Sequence, residues 1–139
     1  MKVFFDTNVY VAEALLGGAA EQMVAATIAA RWRIFSRGYV LDETQRVLTK
    51  KFGFSRRFGR LTRERARRRA SLVVPPASRH SVPQDPADSP VLRAALAAGA
   101  DLFVTNDTHL LALNPFQGLR IISMTEYFNM LVNEGHIVS

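Results

Sequence analysis

Cysteine is absent from the 139 residues. That excludes a disulfide framework, a thiolate nucleophile and a thiolate metal site, and it agrees with a reducing, cytoplasmic setting. Long apolar runs are missing as well. A membrane-spanning helix needs about 18 consecutive apolar residues, and none occurs, so no membrane association is expected. Asp6 interrupts the first apolar segment at once, which argues against a secretory leader. Acids are scarce in one place: between Lys50 and Arg69 stand ten of the 18 basic residues and a single acid, Glu64. Such a block suits a polyanion such as nucleic acid, although charge alone also fits a solvated helix. Tryptophan occurs once, at Trp32, and reads as core or interface rather than as a platform for a base.

What remains is the composition of a globular chain, 48% hydrophobic and 22% charged with net charge +6. The length suits one domain over 1–139 and is too short for two. Short apolar segments rich in β-formers alternate with helical patterns. Strands are expected at Val3–Phe5, Trp32–Phe35, Leu72–Val74, Leu102–Thr105 and Arg120–Ile122. Helices are expected near 9–16, 20–31, 40–50, 62–70, 89–98 and 124–134. This alternation predicts an α/β fold with a central, mostly parallel five-stranded sheet and helices on both faces. Pro75–Pro86 reads as a loop leading to a helix capped by Ser89, with Pro90 at its first position and Gly99 after its end. Ser123 and Glu126 have the spacing of a capping box.

Four acids fall where such a fold gathers ligands, beyond the carboxyl ends of its strands. Asp6 follows the first strand, Asp107 follows the fourth, Asp88 precedes a helix start, and Glu43 lies on a helix. At about 100° per residue, Val40, Leu41, Thr44, Val47 and Leu48 share one face. Glu43 flanks that face, whereas Asp42 points away. A carboxylate cluster repels itself unless protons or cations neutralise it. Hard oxygen donors of this kind suit Mg²⁺ or Mn²⁺, and those ions suit phosphodiester chemistry. Asp85 and Asp101 are rivals for Asp88 and Asp107, but Asp101 sits at the wrong end of its strand. His109 could serve as a general base, which a carboxylate–metal scheme does not need, and His80 and His136 are assigned no role. An aspartyl phosphatase would carry a second aspartate two residues beyond the first, where this chain has Asn8.

The ordered set resembles PIN-domain ribonucleases, in particular the VapC-like toxins of toxin–antitoxin pairs. The resemblance rests on Asp6-Thr7-Asn8, on Glu43 with Arg46-Val47-Leu48, on Asp85-Pro86-Ala87-Asp88-Ser89-Pro90, on Ala100-Asp101 through Thr105-Asn106-Asp107, and on the ending Leu119 to Phe128. It implies a PIN fold, Asp6, Glu43, Asp88 and Asp107 as catalytic metal ligands, and Thr7 or Asn8 and Thr105 as accessory polar groups. Asn106 departs from the glycine common in relatives. The resemblance further implies a metal-dependent endoribonuclease, a toxin with an RNA substrate, a small antitoxin partner and a homodimer. Within the basic block, Arg56, Arg57, Arg60 and Arg63 are the expected contacts to nucleic acid. The alternatives are a PIN-like nucleic-acid-binding module with little catalysis and a DNA-directed nuclease.

Overall fold

A computed structural model describes residues 1–74 and 89–138. Its centre is a five-stranded sheet of order β3-β2-β1-β4-β5. The strands are β1 (Lys2–Phe5), β2 (Arg33–Ser36), β3 (Ser71–Leu72), β4 (Leu102–Val104) and β5 (Arg120–Ile122). All four pairings are parallel, so the expectation of a mostly parallel sheet is met by a wholly parallel one. Parallel strands need crossover connections, and helices supply them. The crossovers contain α1 (Thr7–Leu16), α2 (Gly18–Ala29), α3 (Gly38–Arg46), α4 (Arg56–Arg69), α5 (Pro90–Ala97) and the short α6 (Thr108–Leu111), and α7 (Met124–Asn133) follows the last strand.

The central strands are apolar because both of their faces are covered. Val3, Phe4, Phe5, Leu102, Phe103 and Val104 have no exposure at all. In register, Phe4 lies beside Phe103, and their rings stack at 5.6 Å. Phe5 meets Tyr10 and Tyr127 edge-on at 6.0 and 5.7 Å, tying β1 to α1 and α7. This core fixes the carboxyl ends of β1 and β4 side by side.

The expected strands appear within one or two residues of their places. The helices differ more. α3 does not run on regularly to residue 50; Val47–Lys51 widens into a π-type turn, closed by Phe52 N donating to Val47 O at 3.2 Å. α4 begins at Arg56, six residues before the expected 62, because Ser55 caps it by accepting from Phe58 N at 3.1 Å. Gly59 does not break this helix. A Cβ there would lie 2.8 Å from Thr49 Cγ2, so glycine lets α4 pack closely on the preceding helical segment. Ser89 and Pro90 open α5, and Gly99 follows it with φ +68°. The capping box is present: Glu126 N donates to Ser123 Oγ at 3.1 Å. The loop expected at Pro75–Pro86 lies outside the described residues.

Candidate active site

Asp6 leaves β1 and becomes the N-cap of α1. Its Oδ1 accepts from Thr7 N at 2.8 Å, while Oδ2 accepts from Thr105 Oγ1 at 2.7 Å and Asn8 Nδ2 at 3.3 Å. The carboxylate is only 9% exposed. Burial pushes its pKa up from the ordinary 3.8 and the nearby Asp107 adds to that rise, whereas the hydrogen bonds from Thr105, Thr7 and Asn8 oppose it. Desolvation wins, so this carboxylate is held at a cost that a cation would offset.

Across the crevice Asp107 ends the β4 turn as the N-cap of α6, its Oδ1 accepting from His109 N at 2.9 Å. Thr105 is fully buried between the two acids. Its hydroxyl donates to Asp6 and accepts from Asp107 N at 3.0 Å. Asn8 Nδ2 also reaches Thr105 Oγ1 at 3.2 Å, and Asn8 Oδ1 accepts from Asn106 N at 3.2 Å. Of the accessory candidates, Asn8 and Thr105 join this network through side chains; Thr7 joins through its backbone.

Asn106 has a role that its sequence context did not disclose. Its Oδ1 accepts from Met124 N at 3.0 Å, satisfying one of the free donors at the start of α7. A glycine could not do this. The signal available in sequence was only an amide in a turn ahead of a helix distant along the chain.

Glu43 lies on α3 and is held by Arg46, one turn further on: Arg46 Nη2 donates to Oε1 at 2.7 Å and Nε to Oε2 at 3.1 Å. Asp42, its neighbour, instead accepts from Arg63 Nε of α4 at 2.9 Å. Asp101 accepts from Lys2 N at 2.8 Å and is structural. Asp88 and Asp85 lie outside the described residues. Among the described residues, no three acidic or histidine side chains gather closely enough to hold a metal ion. The structure thus brings together Asp6 and Asp107, and it leaves Glu43 answered by Arg46.

The donor set nonetheless fits a hard divalent ion. Asp6 and Asp107 offer carboxylate oxygens at one sheet edge, and the raised pKa of Asp6 marks a charge that its protein donors do not fully compensate.

Of the nucleic-acid candidates on α4, Arg56, Arg57 and Arg60 are exposed, with no ion-pair partner among the described residues. Arg63 is half-buried and engaged with Asp42 and Glu64. Arg69, also counted in the basic block, turns inward to Glu13 with contacts of 2.6 and 2.8 Å.

Residues 2–109 match the family model described as PIN domain. That covers well over half of the chain, which therefore belongs to the PIN-domain family. PIN domains are generally nucleases and typically use a divalent metal ion. No curated protein and no solved structure matches the chain. Among the described residues, no helix is long and apolar enough to cross a membrane.

Proposed function

We propose that this PIN-domain protein is a metal-dependent endoribonuclease, and that it serves as the toxin of a type II toxin–antitoxin pair in the cytoplasm. The observation that carries the nuclease reading is the Asp6–Thr105–Asp107 arrangement at the carboxyl ends of β1 and β4. Asp6, Glu43, Asp88 and Asp107 would hold Mg²⁺ or Mn²⁺, which when bound supplies charge neutralisation and activation of water.

The chain's own residues set the stage for that chemistry. Thr7 N fixes one oxygen of Asp6, and Thr105 with Asn8 fixes the other, so the carboxylate keeps one orientation. Release of Glu43 from Arg46 completes the acidic set, and Arg46 is then free to meet a phosphate. Arg56, Arg57 and Arg60 hold the RNA backbone by charge, with little preference for sequence. Attack by water rather than by the ribose 2′-hydroxyl leaves a 5′-phosphate and a 3′-hydroxyl. End-group analysis of RNA cut in Mg²⁺ or Mn²⁺ tests this; a 2′,3′-cyclic phosphate or cleavage undiminished by chelator would overturn it.

The partner reading rests on the outer surface of α1 and α2. Leu16 and Ile28 stand exposed there, and Leu16 joins Met23, Met124 and Phe128 along an apolar groove beside Asn106. A homodimer through these helices fits that surface, whereas an antitoxin would occupy the acidic crevice and place a basic side chain among the carboxylates. Light scattering across a concentration series tests the dimer, and a concentration-independent monomer would contradict it. Growth arrest on expression of the chain alone tests the toxin role.

A further inference from the structure

The connection between α3 and α4 carries features that neither the core nor the acidic crevice requires. Phe52 and Phe54 are 45% and 39% exposed. Exposed phenylalanine forgoes a large burial gain, so two within three residues call for a reason beyond folding. They are not loosely held. Phe52 N donates to Val47 O at 3.2 Å and Phe54 N to Leu48 O at 3.0 Å. Gly53 between them takes φ +72°, a conformation that suits glycine. Phe54 stacks on Phe58 with centroids 4.6 Å apart and planes 30° from parallel. Lys51 Nζ lies 5.6 Å over the Phe52 ring. The whole turn follows the π-type widening of α3, a distortion often found at functional sites.

Cations surround these rings. Lys50 and Lys51 precede them; Arg56, Arg57 and Arg60 follow and are exposed. Exposed rings interleaved with cations match the chemistry of unpaired nucleic acid, whose bases offer flat faces and whose phosphates offer charge. A duplex keeps its bases stacked on one another and could use only the cations. Tyr39, Glu43 and Arg46 follow one another at helical spacing on α3, and Lys50 lies in the π-type turn that continues it, which puts the platform about two turns along the chain from Glu43.

We propose that Phe52 and Phe54 form a stacking platform for the bases of single-stranded RNA, with Lys51, Arg56, Arg57 and Arg60 holding its phosphates. The inference deepens the nuclease reading and rests on it for the identity of the ligand. The platform selects unpaired segments of RNA and presents the adjoining phosphodiester to the acidic crevice.

Binding without cleavage separates this inference from the catalytic one. The probe is a short fluorescein-labelled single-stranded RNA, and beside it the duplex of the same sequence, each titrated in chelator and followed by anisotropy. Phe52→Ala and Phe54→Ala should each weaken single-strand binding by roughly tenfold, the size of one stacked base. The salt dependence and duplex binding should stay as in the wild type. Phe54→Trp should retain or tighten single-strand binding, and circular dichroism should show each variant folded. Wild-type affinity in both alanine variants would overturn the platform. So would equal losses for single strand and duplex, or a changed oligomeric state with RNA affinity intact, which would make the rings a protein contact. Failure of catalysis in the cleavage assay would leave these binding results readable.

Discussion

The Thr105 hydroxyl donates to Asp6 Oδ2 at 2.7 Å while accepting from the backbone N–H of Asp107 at 3.0 Å. One buried oxygen thus sets the orientation of one acid and the backbone position of the other. Thr105→Val keeps the shape and removes these two bonds together with the one from Asn8 Nδ2. Loss of a hydrogen bond to a charged group costs about 2 kcal/mol, and urea denaturation should show a loss of that order. RNA cleavage should fall with it, whereas Thr105→Ser should retain most of both. A Val variant with wild-type stability and activity would remove Thr105 from the site.

Asp6 gives a pH-dependent prediction with a definite sign. Its folded pKa lies above the ordinary 3.8, so the folded state binds more protons than the unfolded state in the window just above that value. Stability therefore falls as pH rises through this window, and the deficit persists at neutral pH. Asp6→Asn removes the charge and keeps an N-capping side chain. In chelator at neutral pH the variant should melt above the wild type, and the gap should close as pH is lowered below 3.8. A lower melting temperature for the variant at neutral pH would mean that the hydrogen bonds outweigh desolvation.

Glu13 and Arg69 join α1 to the end of α4 in a pair whose side chains are 4% and 15% exposed. Removing one partner strands the other's charge, at about 3 kcal/mol for a buried pair. Glu13→Ala should therefore unfold at lower urea, and the double change Glu13→Leu with Arg69→Met should recover much of the loss. Equal losses in the single and double variants would argue against a stranded charge as the cause.

Arg46 neutralises Glu43 in the described state. Under the proposed function it competes with the metal ion for that carboxylate. Arg46→Gln should tighten Mn²⁺ binding in calorimetry, and only slightly, because a pair formed by an exposed guanidinium is weak. Unchanged or weaker binding would make Arg46 a residue that orients Glu43 rather than one that screens it.

The sheet was legible because its strands are buried on both faces and so read as unbroken apolar runs such as Val3-Phe4-Phe5. Asp6 was legible because it directly follows such a run, and Asp107 because it lies just beyond another, after Thr105 and Asn106. The start of α4 was not, because Phe58, Leu61 and Ala66 are the only apolar side chains in Arg56–Arg69; the cap at Ser55 was the one usable sign. α6 escaped notice for its length, four residues. The π-type turn and the Arg46–Glu43 pair depend on geometry that spacing along the chain does not fix. The places of Asp42 and Arg63 are similar, since their contact joins two helices across 21 positions.

The central claim is that Asp6 and Asp107 act together on RNA with a divalent ion. The most direct measurement is the rate of Mn²⁺-dependent cleavage of a single-stranded RNA by the wild type, Asp6→Asn and Asp107→Asn, each first shown to be folded. The account predicts cleavage by the wild type that stops in chelator, and loss of nearly all activity in both variants with RNA binding retained. Full activity in either folded variant would contradict it.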